Sequence, residues 1–176
     1  SHNHNDIGNF MVFKDCVPYV IDSGNMKYNR DTFSERRYTI WTNRSEFHNL
    51  PEIGEKNQHE GACYRAENAV YKPGFFSVDI QNAYEDNEDI TLWRRSFDCS
   101  DGIAVCDRYE FKRAMPVTLN FLFASKPEVT QDGLLFEGGF KMKIDISLFN
   151  VRWEEIKLTD ELLLKSWGES LFRFRF

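Results

Sequence analysis

No apolar run in this 176-residue sequence approaches the roughly 18 residues that a membrane-spanning helix needs, so no membrane partner is expected. Helical periodicity is almost as scarce. It is confined to LTDELLLKSWG, where Thr159 or Asp160 would cap the start and Gly168 would stop the helix. No internal repeat or low-complexity linker breaks the chain, which predicts one domain over residues 1–176. The four cysteines (Cys16, Cys63, Cys99 and Cys106) form no CxxC pair, which argues against a thiolate zinc site. A Cys99–Cys106 bridge across the turn SDG is conceivable, but a simple hairpin register would not set the two opposite each other. Free or buried thiols are the expectation. Positive charge is also short. Lys and Arg number 22 against 28 Asp and Glu, and a net charge of −6 repels a polyanion such as nucleic acid.

What the sequence does have is period-2 alternation. In FKMKIDISLF, Phe140, Met142, Ile144, Ile146 and Leu148 alternate with polar residues. The terminal LFRFRF sets Phe172, Phe174 and Phe176 against Arg173 and Arg175, and VTLNFLF puts Val117, Leu119, Phe121 and Phe123 on one face. These are half-buried strands. Turn residues separate them at KDCVP, CSDG, QDG and EGG, and ITLWRRSFDC with IAVCDRYEFK reads as a hairpin. Strands at short intervals without helices between them predict an all-β fold, an antiparallel β-sandwich of two large packed sheets. The section around residues 25–65 is less regular.

Histidine is rare, at four residues, yet two of them stand in HNHND at the start of the chain. Alternate residues of an extended segment share a face, so His2, His4 and Asp6 are candidates for a metal site or a catalytic base. Asp22, His48 and His59 are further candidate ligands, because neutral imidazoles with a carboxylate bind divalent ions. With Asp15–Cys16 as a hairpin tip, Asp22 falls opposite Asn9. That is about five residues from His4 and too far to share an ion unless the chain bends, and Gly8 offers the place. A cupin would follow its HxH with a glutamate, but Gly8 and Asn9 occupy those positions. Between Lys27 and Arg44, five basic residues face Asp31 and Glu35. This local charge of +3 is either a solvated strand face or an anion-binding strip.

The ordered blocks HNHNDIGNF, YVIDSG, RRYTIWTNRSEFHNLP and QHEGACY resemble the heparinase II/III family of polysaccharide lyases, most strongly over residues 2–64. The resemblance implies the C-terminal β-sandwich domain of a larger bacterial enzyme, periplasmic or extracellular, whose cleft is completed by an N-terminal helical toroid. The implied substrate is a uronate-containing polysaccharide, cleaved by β-elimination, and the domain alone would be inactive. By motif position the resemblance assigns His2 to acid–base catalysis, and His4, Asp22 and His48 to a structural Zn2+ or another divalent cation. Asp6 would tie down the local backbone, and His59 matches no motif position. Arg36 or Arg37 would meet a substrate carboxylate or sulfate, which tilts the substrate towards a glycosaminoglycan. Asn49 would orient its neighbours or the substrate through its amide. Tyr38, Trp41 and Phe47 could stack on sugar rings, at least two of them packing in the core instead. Cys16 stands where glycine is usual after aspartate, which puts the KDCVP turn in doubt. The alternative is a non-catalytic carbohydrate-binding or structural module in which the histidines are only structural.

Overall fold

The computed structural model describes residues 3–176, and every strand pair in it is antiparallel. In chain order the strands are β1 (Val12–Lys14), β2 (Val17–Val20), β3 (Pro51–Ile53), β4 (Glu67–Lys72), β5 (Phe75–Asp79), β6 (Ile90–Asp98) and β7 (Ala104–Phe111). They continue with β8 (Val117–Phe123), β9 (Glu128–Thr130), β10 (Gly133–Leu135), β11 (Lys141–Lys143), β12 (Arg152–Lys157) and β13 (Ser170–Arg175). The main sheet runs β1-β2-β8-β13-β12, with β3 also pairing β8. A second sheet is β11-β10-β9, and a third is β4-β5-β6-β7. The sandwich-like all-β architecture predicted from alternation is therefore present, built from three sheets rather than two.

Each face of the main sheet buries its own residues, as a side-chain period of two requires. On one face Val12, Val20, Phe123, Phe174 and Phe176 meet Leu134 and Phe136 from around β10, with Phe140 and Met142 packed against them, and Tyr19 joins the same cluster. Tyr19 and Phe140 stack with their ring centroids 4.1 Å apart. The other face presents Ile21, Leu122 and Leu171 to Leu158 and to Leu163 of the one α-helix among the described residues, α1 (Glu161–Trp167). Asp160 caps that helix by accepting from the Leu162 and Leu163 amides, and Gly168 ends it. A third cluster joins β5 and β6 to β3: Val78, Ile80, Tyr84 and Trp93 pack with Ile53. No helix among the described residues is long and apolar enough to cross a membrane.

Several local expectations changed. FKMKIDISLF is not one strand: β11 ends at Lys143, because the Asp145 carboxylate accepts the Ser147 amide and nucleates a 3-10 turn over Ile146–Leu148. Leu148, expected on the apolar face, is 75% exposed. Residues 31–47 form successive 3-10 turns, not strands, so Arg36 and Arg37 lie in the turn Glu35–Thr39. The KDCVP hairpin forms with Asp15 and Cys16 both at positive φ (52° and 64°), the backbone that a two-residue turn demands. All four cysteines are free and exposed, and Cys106 pairs with Ser96, not Cys99.

Candidate metal centre and adjoining cavity

The segment carrying His4 is fixed by backbone and amide bonds rather than by a sheet. The Asn5 amide donates to the Asn43 carbonyl at 2.9 Å, and its side chain donates to the Gln58 carbonyl at 3.0 Å. Gln58 answers with both ends of its own amide: its Oε1 accepts the Ile7 N–H at 2.8 Å and its Nε2 donates to the Ile7 carbonyl at 2.8 Å. The chain then reverses. Asn9 N–H donates to the Asp6 carbonyl, and Gly8 adopts φ +86°, where a Cβ would come within 3.1 Å of Ile80. This is the bend that His4 needed, and only glycine enters it without strain. Asn9 emerges beside Asp22, as the hairpin register predicted, with its Nδ2 2.6 Å from Asp22 Oδ2.

His48 arrives from the other side, after the 3-10 turn Ser45–Phe47, and is fully buried. Its Nδ1 lies 2.7 Å from Asp22 Oδ2, while Asp22 Oδ1 accepts the Gly24 amide at 2.7 Å. His4 packs its ring 5.4 Å from that of His48 and bonds Asn25 Oδ1 through Nε2 at 2.8 Å. One ligand atom from each of His4, Asp22 and His48 lies within 4.8 Å of the others. Because ionised Asp22 can only accept, His48 Nδ1 carries the proton and Nε2 holds a bare lone pair. That Nε2 is buried with no partner among the described residues. A buried lone pair of this kind is costly unless a donor or a cation meets it, so the donor set suits a divalent ion.

The electrostatics agree with that chemistry. Burial, reinforced by the nearby His48, lowers the pKa of His4 and keeps its imidazole in the neutral, ligating form. Burial alone would raise the Asp22 carboxyl. The hydrogen bond and charge of His48, with the Gly24 amide and His4, bring it below its ordinary value and keep it ionised. Asp6 goes the other way: burial raises it against the pull of His48 and His4, and it is not part of the three-residue cluster.

A cavity of about 430 Å³ adjoins the cluster, and its lining includes Asn3, His4, Asp22, Tyr38, Gln58 and Tyr64. His2, assigned to catalysis by the resemblance, lies outside the described residues, although its neighbour Asn3 lines this cavity. The three residues expected to bind substrate do not reach it. Arg36 spends its fork on Asp31, with Nε at 2.9 Å and Nη2 at 2.5 Å. Arg37 is 8% exposed and donates to the carbonyls of Asn3 and Thr32. Asn49 is 1% exposed: its Oδ1 accepts the Leu122 amide, and its Nδ2 donates to the Phe10 and Ile21 carbonyls, standing in for strand pairing that β2 and β3 leave incomplete on β8. Trp41 packs against the core beside Leu122, edge-on to Phe47. Of the three aromatic candidates only Tyr38 lines the cavity.

Gln58 and Arg95 escaped sequence reasoning, and His59, a candidate metal ligand in the sequence, lies on the cavity wall and not in the three-residue cluster. Gln58 and His59 lie in the quoted block QHEGACY, but nothing in their spacing marked them as cavity residues. Arg95, from the middle of β6, donates through Nη1 to the carbonyls of Gly8 (3.0 Å) and Asn49 (2.5 Å) while its Nε and Nη2 grip Asp107. It thereby ties the loop after His4 to the loop after His48, a contact between residues far apart in sequence. Compared with known proteins, the chain matches no protein-family model and no curated protein sequence.

Proposed function

We propose that this chain is the β-sandwich part of a polysaccharide lyase that cleaves uronate-containing glycans by β-elimination, with a divalent ion, Zn2+ by its donor set, clasping the loops under the cleft. The observation that carries this reading is the convergence of His4, Asp22 and His48. The family resemblance assigns just these three residues to metal, and they come together only because the chain turns at Gly8.

His4, Asp22 and His48 would hold the ion, and its chemistry there is structural: charge neutralisation and cross-linking of the loops that bear them. The elimination itself falls to the protein's own groups. A base takes the C5 proton α to the uronate carboxylate, an acid protonates the C4 oxygen as it leaves, and donors to the carboxylate stabilise the enolate-like charge. His2, two residues before His4, is the group of this chain assigned to that proton traffic, and the helical toroid of the full-length protein would supply the remainder. An ordinary histidine pKa near 6.5 suits the role.

The test is formation of unsaturated uronate product by the full-length protein on uronate polymers. His2→Ala should lower turnover by about a hundredfold or more, the scale of general acid–base catalysis. Turnover within a few-fold of the parent would instead favour a module that only binds glycan.

A further inference from the structure

We infer that the cavity beside the metal cluster is a subsite for an uncharged sugar ring, held by Tyr64 and His59, and that it selects against sulfated glycans; the choice of a glycan as ligand rests on the lyase reading, whereas the charge selectivity rests on the site itself. Part of the cavity wall is formed by His59, Glu60, Gly61 and Tyr64. The Tyr64 amide donates to the Gly61 carbonyl at 3.2 Å, and a Cβ on Gly61 would stand 3.3 Å from the Tyr64 ring. The absence of a side chain there lets the phenol ring settle against the backbone. His59 supports the same ring with its centroid 5.1 Å away. An aromatic ring fixed in this way is a platform for the C–H face of a pyranose.

Carboxylates gather around that platform. His59 Nδ1 donates to the Glu60 carbonyl at 3.0 Å, and its Nε2 lies 3.9 Å from Glu85. Glu60 lies on the wall, and Glu85 and Asp86 lie close enough to act on Tyr64. After burial, the charges of Glu85, Cys63, Asp86 and Glu60 push its phenol upward. No Lys or Arg is among the described residues that line the cavity. None of the five basic residues of 27–44 is in that lining: Lys27 pairs with Glu161, Arg36 with Asp31 and Arg44 with Glu46, Arg37 donates to carbonyls, and Arg30 is exposed outside the cavity. Sugar hydroxyls, which can donate, match such a surface. A sulfate, which can only accept and carries charge, is repelled.

Calorimetric titration of the chain with an unsulfated hexosamine–uronate hexasaccharide and with its sulfated counterpart, at low salt, tests this. The unsulfated probe should bind at least about tenfold more tightly, and Tyr64→Ala should weaken it by about tenfold, the scale of one ring contact, while Tyr64→Phe retains it. Joint Glu60→Gln and Glu85→Gln substitution should narrow the preference. Equal or tighter binding of the sulfated probe, no binding of either, or a folded Tyr64→Ala chain with unchanged affinity overturns the subsite. Binding at Tyr64 without elimination by the full-length protein would count against the lyase and leave the subsite standing. Elimination whose substrate binding ignores Tyr64 would do the reverse.

Discussion

His48 shows how much one side chain is asked to do. It is fully buried, it donates to Asp22 through one nitrogen, and it leaves the other with no partner among the described residues. His48→Ala removes the partner of a largely buried carboxylate and opens a cavity, and should cost about 3 kcal/mol in denaturant unfolding without metal. His4→Ala, at a half-buried position whose bond is to the exposed side of the cluster, should cost well under that while still abolishing metal retention. Gly8→Ala is a third case. It forces a Cβ into a positive-φ residue against Ile80, and should destabilise by about 1–2 kcal/mol and weaken metal uptake, because the bend brings His4 to Asp22.

At the scale of elements, the loops after His4 and His48 are coupled through β6. Arg95→Met would leave the Gly8 and Asn49 carbonyls and the Asp107 carboxylate without their donor, so both stability and metal affinity should fall. Cobalt loaded in place of zinc would report the change of site in its visible spectrum. The β1–β2 hairpin offers an opposite prediction: Cys16 sits at φ 64°, so Cys16→Gly relieves its backbone and should stabilise the hairpin by about 0.5–1 kcal/mol, read as a raised melting temperature. The third sheet carries a pH dependence. The Arg94 hydrogen bond, opposed by burial and helped by Asn68, holds the Asp79 carboxyl below its ordinary value. A depressed carboxyl stabilises the fold at pH above its unfolded pKa and loses that contribution as pH falls through the lower folded value. Acid titration of stability should therefore be shallower in Asp79→Asn than in the parent across the pH range below about 4.

Over the whole molecule, what was legible in the sequence is what short-range chemistry decides. Alternation located β8 and β13, Asp160 and Gly168 bracketed the helix, and the hairpin register put Asn9 at Asp22. The metal candidates followed from residue chemistry and a family resemblance, while that register kept Asp22 from His4 unless the chain bent. Residues 31–47 were misread because successive 3-10 turns leave no period of two or 3.6, so Arg36 and Arg37 looked like strand residues with one free to meet a ligand. The bonding roles of Asn49 and Arg95 were not legible for a different reason: their partners lie 28 to 73 and 12 to 87 positions away, and no local pattern encodes such bonds. The gathering of Glu60 and Tyr64 at the cavity is likewise a product of assembly, and the basic residues behind the local +3 charge are not in its lining.

The metal clasp is the part of the proposal on which the others lean, and elemental analysis of the purified chain addresses it directly. We predict about one zinc per chain, retained through dialysis in the parent and lost in His48→Ala. Less than a few tenths of an ion per chain after incubation with excess zinc would contradict a metal centre at His4, Asp22 and His48.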